Sequence, residues 1–553
     1  MPLSSLSCTG KRWVLAPQRG EDTLPSNPDA LITWLQESRQ LSAADAHAGT
    51  AWYDPSLYPD SAKAAERTKR ALANGERIAL FGDYDCDGIT ATLQLYRFFQ
   101  RRKSNPFVRL PHRIHDGYGL RSPHIDELLG KNITLLFAID TGTSAHEAIE
   151  RAQEKGMDVI VLDHHHLLVP PPAFAMLHPS LATDLPHPHP SAAGVVFSFL
   201  HALEGSDWKD RTIDLALATM GTVADLVHLQ GNNRTLVQEG LRAFEKLPLC
   251  PLRSFVERIV PKGPVTSVDI AFRIAPRINA AGRMADPLLA FRALLEGGQL
   301  LEDLDTLNRS RQDETNRFFE DALQEIAHSP DGNLPAFLTV ASASYPPGIV
   351  GLLAGKLLDR YGRPCMATHI AGDGTCTASL RSPPGFHITE ALEKGKHLLL
   401  NFGGHAQAAG ATFPLLNASA LTQLLTEDAS THIPEDALVP TLALDASLPA
   451  SAMTQDFCRK LQTLEPYGQG NPEPLFLLKR VQLTDLRRVG DRGKHLQATL
   501  GNAKLIGFNL GAYGETAARP LDIVCRLGLH HWNGRTSVQL SLVDLRKAET
   551  AIS

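Results

Sequence analysis

Apolar residues run through Ile78-Ala79-Leu80-Phe81, again through 133–139 with Thr134 the one polar position, and again through 157–162 with Asp158 the one charged position. Helical periodicity fills the stretches around them. An amphipathic helix over 61–74, closed by Gly75, precedes the first run. A helix over 89–103 follows it, with Leu93, Leu95, Tyr96 and Phe99 directed inward and Arg101-Arg102-Lys103 at its end. Another near 144–155 joins the second run to the third. Near-continuous apolar strands alternating with helices predict a parallel sheet covered on both faces. Residues 167–190, rich in Pro and His, predict a loop, and helical pattern then continues from Ala193 to about 330.

Ser329-Pro330-Asp331-Gly332-Asn333 breaks the pattern, and a second strand-helix unit follows, with a strand over 336–342 and a helix over 349–361. Beyond about 440, short strand candidates dominate (474–480, 482–488, 495–500, 503–508, 521–529 and 535–544), which predicts a small β-barrel or sandwich. Residues 1–55 form an N-terminal extension with one helix over 28–39. The expected fold is α/β: a parallel-sheet domain with a helical connector over 56–330, a smaller α/β domain over 335–430, and a C-terminal β-barrel over 440–548.

At 553 residues the chain is too long for one core, which fits that division. Its net charge of −6 excludes a global basic footprint, so a nucleic-acid partner would need local basic surface. Seven scattered cysteines with no C-x-x-C pair argue against zinc ribbons and a disulfide framework and for a reducing cytoplasm. The first 22 residues lack an apolar signal core, and no run reaches membrane-spanning length, so no membrane partner is expected.

The strand ends change the picture most. The first run leads into Asp83-Tyr84-Asp85-Cys86-Asp87-Gly88, the second into Asp140, the third into Asp163-His164-His165-His166. In parallel sheets, function gathers beyond the carboxyl ends of the strands, and three successive ends here deliver Asp or His. A solvated acidic turn would account for the first motif alone; three agreeing ends favour a metal site by about ten to one. Asp225, in the apolar setting of Gly221-Thr222-Val223-Ala224, is a further ligand candidate. Asp85, Asp87, Asp140, His164 and Asp225, with Asp83 and His165 beside them, would suit Mg²⁺ or Mn²⁺. Two ions about 3.5–4 Å apart could share one carboxylate, with Asp140 the candidate bridge, and clamp a phosphate. His166, His187 and His189 are expected to be surface loop histidines.

Arg113 and Tyr118 sit in a Gly-rich basic loop that could grip phosphate, although, taken by itself, the loop is better read as an ordinary turn. Arg277, Asn279 and Arg283 lie close enough on a helix to converge. Ser379 and Arg381 could form a second phosphate pocket, and Gly403-Gly404-His405 puts an imidazole on backbone that can approach a ligand closely. The late β region carries six cations (Lys479, Arg480, Arg487, Arg488, Arg492, Lys494) against Asp485 and Asp491. A solvated charged face is the commoner meaning of such a run. With an exposed aromatic such as Trp532, a barrel bearing Arg487, Arg488 and Lys494 would suit single-stranded nucleic acid.

Gly82-Asp83-Tyr84-Asp85-Cys86-Asp87-Gly88, Asp140, Asp163-His164-His165 and Gly221-Thr222-Val223-Ala224-Asp225 resemble the four motifs of the DHH phosphoesterase superfamily. Arg113-x4-Tyr118, Ala275-Pro276-Arg277-Ile278-Asn279-Ala280-Ala281-Gly282-Arg283, Ser379-x-Arg381-Ser382, Gly403-Gly404-His405 and Pro466-Tyr467-Gly468-Gln469-Gly470-Asn471-Pro472 narrow the resemblance to its single-stranded-DNA-specific 5′→3′ exonucleases, over about 55–545. The resemblance implies a DHH domain, a DHH-associated domain and an OB-fold, in that order. It implies two Mn²⁺ or Mg²⁺ ions held by Asp85, Asp87, Asp140, His164 and Asp225, with Asp83 and His165 close to the reaction. It implies that Arg113, Ser379 and Arg381 hold a 5′-terminal phosphate and that His405 touches the scissile one. Tyr345-Pro346 stands where that family commonly has an aromatic-His pair. The expected activity is removal of 5′ mononucleotides from single-stranded DNA in recombination and repair, with a helicase and a single-strand-binding protein as possible suppliers of substrate. A DHH hydrolase of short oligonucleotides or cyclic dinucleotides is the competing expectation, and a scaffold that has lost its ligands a more remote one.

Overall fold

A computed structural model describes residues 6–15, 28–39, 41, 54–113, 115–185, 188–205, 207–208, 211–327, 334–434, 438–532 and 535–548. His187 lies outside them. The chain divides into two compact units: residues 37–313 with 466–472, and residues 1–36 with 314–465 and 473–553.

The first unit is built on five parallel strands in the order Phe107–Arg109, Ile78–Phe81, Leu135–Ile139, Asp158–Leu162, Ala175–Leu177. Relative to the chain this is 2-1-3-4-5, so the connections change direction between Ile78–Phe81 and Leu135–Ile139. Such a switch point opens a crevice at the strands' carboxyl ends. The central strands are buried at every position of 78–81 and 135–139, as their unbroken apolar runs require. One face packs the buried helices Cys86–Arg101, Ala192–Glu204 and Arg211–Ala224.

Two strands of this sheet are not expected from the sequence. Phe107–Arg109 is three residues long and begins right after a proline. Ala175–Leu177 falls inside the stretch expected to be loop, yet pairs with 160–162 through a fully buried Ala-Met-Leu. Runs this short carry no periodicity, and only the neighbouring strand completes their hydrogen bonds. The helix expected from 89 starts at Cys86: Asp85 is its N-cap, its Oδ1 accepting from the amides of Asp87 (3.0 Å) and Gly88 (3.1 Å).

The second unit holds two larger sheets. One has five strands, running in space Asn401–His405, Ala408–Pro414, Thr375–Arg381, Cys365–Ile370, Leu338–Ser342; only the last pair is parallel. The other is a mixed seven-stranded sheet over 446–547, with Thr484–Val489 at one edge. The N-terminal extension contributes to this unit. Arg12–Leu15 pairs in parallel with Thr441–Leu444, and Trp13, fully buried, donates from Nε1 to Asp544 Oδ2 at 2.9 Å. Among the described residues, no helix is long and apolar enough to cross a membrane.

Candidate metal centre

The acidic strand ends meet at the switch point. His164 Nε2 lies 3.3 Å from Asp140 Oδ1, 3.6 Å from Asp225 Oδ2 and 3.8 Å from Asp87 Oδ2. Potential ligand atoms draw together in three overlapping sets: Asp83, Asp85 and Asp140; Asp140, His164 and His165; Asp87, His164 and Asp225, each within 4.8 Å. Asp140 joins the first two sets and His164 the last two. Asp83, expected only beside the site, stands as a third carboxylate with Asp85 and Asp140.

Local structure delivers each group. Asp87, in the first turn of its helix, accepts from the amides of Ala192 (2.8 Å) and Ala193 (3.0 Å), the opening amides of a second helix. Helix Arg211–Ala224 brings Asp225 in at its end, and its Gly221 allows the approach: a Cβ there would lie 2.4 Å from Asp87 Oδ1. Asp140 is held at φ +59°, a left-handed conformation that costs a non-glycine residue on the order of 1–3 kcal/mol.

The electrostatics are those of a cation site. Burial, then the Asp85 charge, pushes Asp87 up to about 7; burial, then Asp87 and Asp85, pushes Asp225 up to about 9. Asp83 and Asp140 rise well above the carboxylate range for the same reasons. Burial and the neighbouring His165 lower His164 to about 4, keeping its lone pair available. Asp83 Oδ1, Asp140 Oδ1 and His164 Nε2 are buried and have no hydrogen-bond partner. Orphaned acceptors among carboxylates that cannot all ionise together are what a divalent cation would satisfy, so the donor set fits Mn²⁺ or Mg²⁺.

Asp163 plays a different part. Although burial alone would raise it, hydrogen bonds from His165 and Thr143 hold it below its usual range. Its Oδ1 lies 2.8 Å from His165 Nδ1, and its Oδ2 accepts from the Thr143 amide at 3.0 Å. Asp163 therefore orients His165 and, against the effect of burial, raises it to about 9. Tyr118 Oη meets the other ring nitrogen of His165 at 3.1 Å.

The basic residues divide. The Arg113 guanidinium stacks on Tyr84, 4.2 Å from the ring centroid, and its buried Nε has no hydrogen-bond partner. Arg283 is lowered to about 10, by burial and then by Arg113 and Arg311. Arg277 and Asn279 are instead engaged by protein. Arg277 Nε donates to Asp305 Oδ1 (2.6 Å), and Asn279 Oδ1 accepts from the Cys86 amide (2.7 Å), bracing the acidic helix start. No sequence pattern marks either partner.

In the second unit, Ser379 is paired across the sheet with Gly410, and Gly410 with Gly403; Arg381 is paired with Ala408, and Ala408 with His405. Paired residues share a face, so Ser379, Arg381, Gly403 and His405 lie on one side of the sheet. Arg381 Nη1 donates to Ser379 Oγ at 3.0 Å, and both sit against Gly351 in the first turn of helix Val350–Tyr361, whose amides favour an anion. Gly404, at φ +147°, lies where a Cβ would be 2.4 Å from the Ala408 carbonyl oxygen. Tyr345 is buried against Phe318.

Arg487, Arg488 and Lys494 are exposed on the edge hairpin of the mixed sheet. Trp532 ends a strand, and its side chain lies outside the described residues. The exposed aromatic that the sequence did not single out is Phe508, 64% exposed, with its ring edge-on to His495 of the same hairpin region at 5.2 Å. A cavity of about 550 Å³ opens elsewhere in the first unit, at the amino-terminal ends of the strands, and includes none of the clustered acids.

Residues 77–224 match the DHH family N-terminal domain, 334–431 the DHHA1 domain and 444–544 the RecJ OB domain. The chain is 34% identical to the single-stranded-DNA-specific exonuclease RecJ of Thermus thermophilus over 499 residues, which is 88% of this chain and 71% of the relative. This chain belongs to the RecJ family. RecJ of Bacillus subtilis is 31% identical over 90% of this chain, which spans 65% of that relative's length. The crystal structure of Thermus RecJ with Mn²⁺ superposes with a TM-score of 0.79 at 30% identity, covering 97% of this chain and 80% of that one. The same RecJ with Mg²⁺ gives 0.71 at 28% identity, covering 97% and 79%. The expected α/β architecture with a C-terminal OB domain is thus that of RecJ, and RecJ relatives bind both expected metals.

Proposed function

We propose that this chain is a metal-dependent exonuclease that degrades single-stranded DNA from the 5′ end to 5′-mononucleotides, working in the cytoplasm in recombination and repair. The observation that carries this is the convergence of Asp83, Asp85, Asp87, Asp140, His164 and Asp225, with buried acceptors left unsatisfied, in a chain of the RecJ family. We assign Asp85, Asp87, Asp140, His164 and Asp225 as the residues holding two Mn²⁺ or Mg²⁺ ions, with Asp83 an additional candidate. Such ions supply charge neutralisation at the scissile phosphate and make water a nucleophile near neutral pH.

The chain's own groups do the rest. Asp163 and Tyr118 fix the His165 ring, whose basicity Asp163 raises, so that it can hold a proton toward the phosphate or the leaving oxygen. Arg113, stacked on Tyr84, presents a cation to a phosphate, with Arg283 adding charge nearby. Ser379 and Arg381 at a helix start form an anion pocket suited to a 5′-terminal phosphate, and His405 shares their face. Arg487, Arg488 and Lys494 offer a track for the strand, while a helicase and a single-strand-binding protein would supply it.

The hydrolase of short oligonucleotides or cyclic dinucleotides has less support, because such substrates need no RecJ OB domain and residues 444–544 match one. The test is digestion of 5′- and 3′-labelled single- and double-stranded DNA and RNA with Mn²⁺ or Mg²⁺. Release of the 5′ label first, from single strands, is expected; release of the 3′ label first would reverse the assigned polarity. Cleavage confined to short oligomers would favour the competing activity.

A further inference from the structure

The segment Pro-Tyr-Gly-Gln-Gly-Asn-Pro, residues 466–472, belongs to the metal-bearing unit although residues 465 and 473 on either side belong to the other. It is a tight turn, with Gly468 and Asn471 exchanging backbone hydrogen bonds of 2.9 and 3.1 Å. Asn471 is fully buried. Its Nδ2 donates to the Pro466 carbonyl (2.9 Å), and its Oδ1 accepts from Arg39 Nη1 (2.9 Å). Around the turn, Ser267 Oγ donates to the Tyr467 carbonyl (2.6 Å) and Arg234 Nη1 to that of Pro466 (3.3 Å).

The turn grips one corner of the unit. The Leu229 amide donates to the Gln469 carbonyl at 2.8 Å. Gly470, at φ +77°, lies where a Cβ would be 3.1 Å from the His228 ring, and a Cβ on Gly468 would be 2.6 Å from Leu229. That corner is the chain from Asp225 to Gln230. It begins at a cage carboxylate and passes at once through Leu226, held left-handed at φ +58°. A second path leaves the same corner. Buried Asn233 donates from Nδ2 to the carbonyls of His228 (3.2 Å), His189 (2.9 Å) and Pro188 (3.3 Å). Residues 188–190 lead into Ser191, the cap of the helix whose first amides hold Asp87.

We propose that residues 466–472 are a positioning strap for the metal cage. Asn471 closes the strap, the strap fixes the 225–230 corner, and the corner sets Asp225 directly and Asp87 through residues 188–193. The inference rests on Asp87 and Asp225 being metal ligands. Groups that support ligands from behind cost about 10- to 100-fold in metal affinity or activity when removed.

The test is Mn²⁺ titration by calorimetry on the full chain, with steady-state kinetics on single-stranded DNA. Asn471→Ala is expected to bind Mn²⁺ about tenfold more weakly and to lose kcat by a similar factor at unchanged KM. Ser267→Ala, which removes one outer hydrogen bond and leaves the turn closed, is expected to stay within about twofold of the parent. A folded Asn471→Ala with parental Mn²⁺ affinity and kcat overturns the strap, even if it melts earlier, because that is the signature of a purely structural role. If Asn471→Ala does not fold, Gly470→Ala is read by the same criteria, since it presses on His228 while leaving the strap's hydrogen bonds in place. Asp225→Ala separates the two readings. Parental Mn²⁺ binding in Asp225→Ala refutes the ligand assignment itself, whereas lost binding there with parental binding in the strap variant refutes the strap alone.

Discussion

The rim of acids at the switch point and the basic hairpin of the mixed sheet are both charged, and they are built in opposite ways. In the rim, Asp83, Asp87 and Asp140 are at most 4% exposed, and each is placed by a strand end, a helix start or a left-handed turn. On the hairpin, Arg487, Arg488 and Lys494 stand in solvent on an edge strand. Buried like charges act as a unit, because each raises the cost of ionising the others. Exposed cations act singly and are screened by salt. The rim has the properties of a place for chemistry, and the hairpin those of a place for holding a strand. Removing a member should be severe in the first and incremental in the second.

The largest expected effect is that of Asp140→Ala. Losing the carboxylate shared by two ligand sets should reduce single-turnover cleavage by at least about a thousandfold. Affinity for labelled single-stranded DNA, followed by anisotropy, should change by no more than a few-fold. Cleavage near the parental rate would break the contrast at once.

Chelation should expose the self-repulsion of the rim. Asp87 and Asp225 have folded-state values raised to about 7 and about 9, above those of an unfolded chain. Their neutral forms are therefore tolerated at low pH, and the associated stability is lost as pH rises through that window. The melting temperature of chelated protein should fall from pH 6 to pH 9. Added Mn²⁺ should offset the fall, widening the gap between the two forms by roughly 5 °C across that range. A gap independent of pH would mean that the carboxylates are not what the ions neutralise.

On the hairpin side, Arg487→Ala, Arg488→Ala and Lys494→Ala combined should raise KM on long single strands about tenfold and leave kcat on a trinucleotide unchanged. The salt dependence should flatten, by about 0.7 in log–log slope for each phosphate that no longer meets a cation. An unchanged slope would take the strand off this surface.

The same contrast explains what could be read without the structure. The rim is legible because its acids follow apolar runs, and a run that ends in acid stands out in one dimension. Its supports are not. Asn279 braces the Cys86 amide from almost two hundred positions away, and Trp13 finds Asp544 across most of the chain. Such pairs exist only once the chain has folded, as do the three-residue strands at 107 and 175. The hairpin's charges were legible as a cluster, but which aromatic accompanies them was not. Trp532, whose side chain lies outside the described residues, stands out by residue type alone; Phe508, one residue past the strand Ala503–Gly507, is exposed beside His495.

Phe508 therefore gives the smallest and most selective prediction. A phenylalanine exposed to this extent contributes little to the core, so Phe508→Ala should leave the melting temperature within about a degree. Stacking of one base on an aromatic ring is worth about 1–3 kcal/mol, and an open surface site should lie at the low end. The variant should bind long single strands about fivefold more weakly, with the salt slope kept, because every cation facing the backbone is still in place. It would then differ from the charge variants in kind as well as in size: stacking sets a constant offset in affinity, and charge sets its dependence on salt. Equal loss of affinity and of slope in Phe508→Ala would mean that the ring acts by holding the hairpin's cations in place rather than by meeting a base.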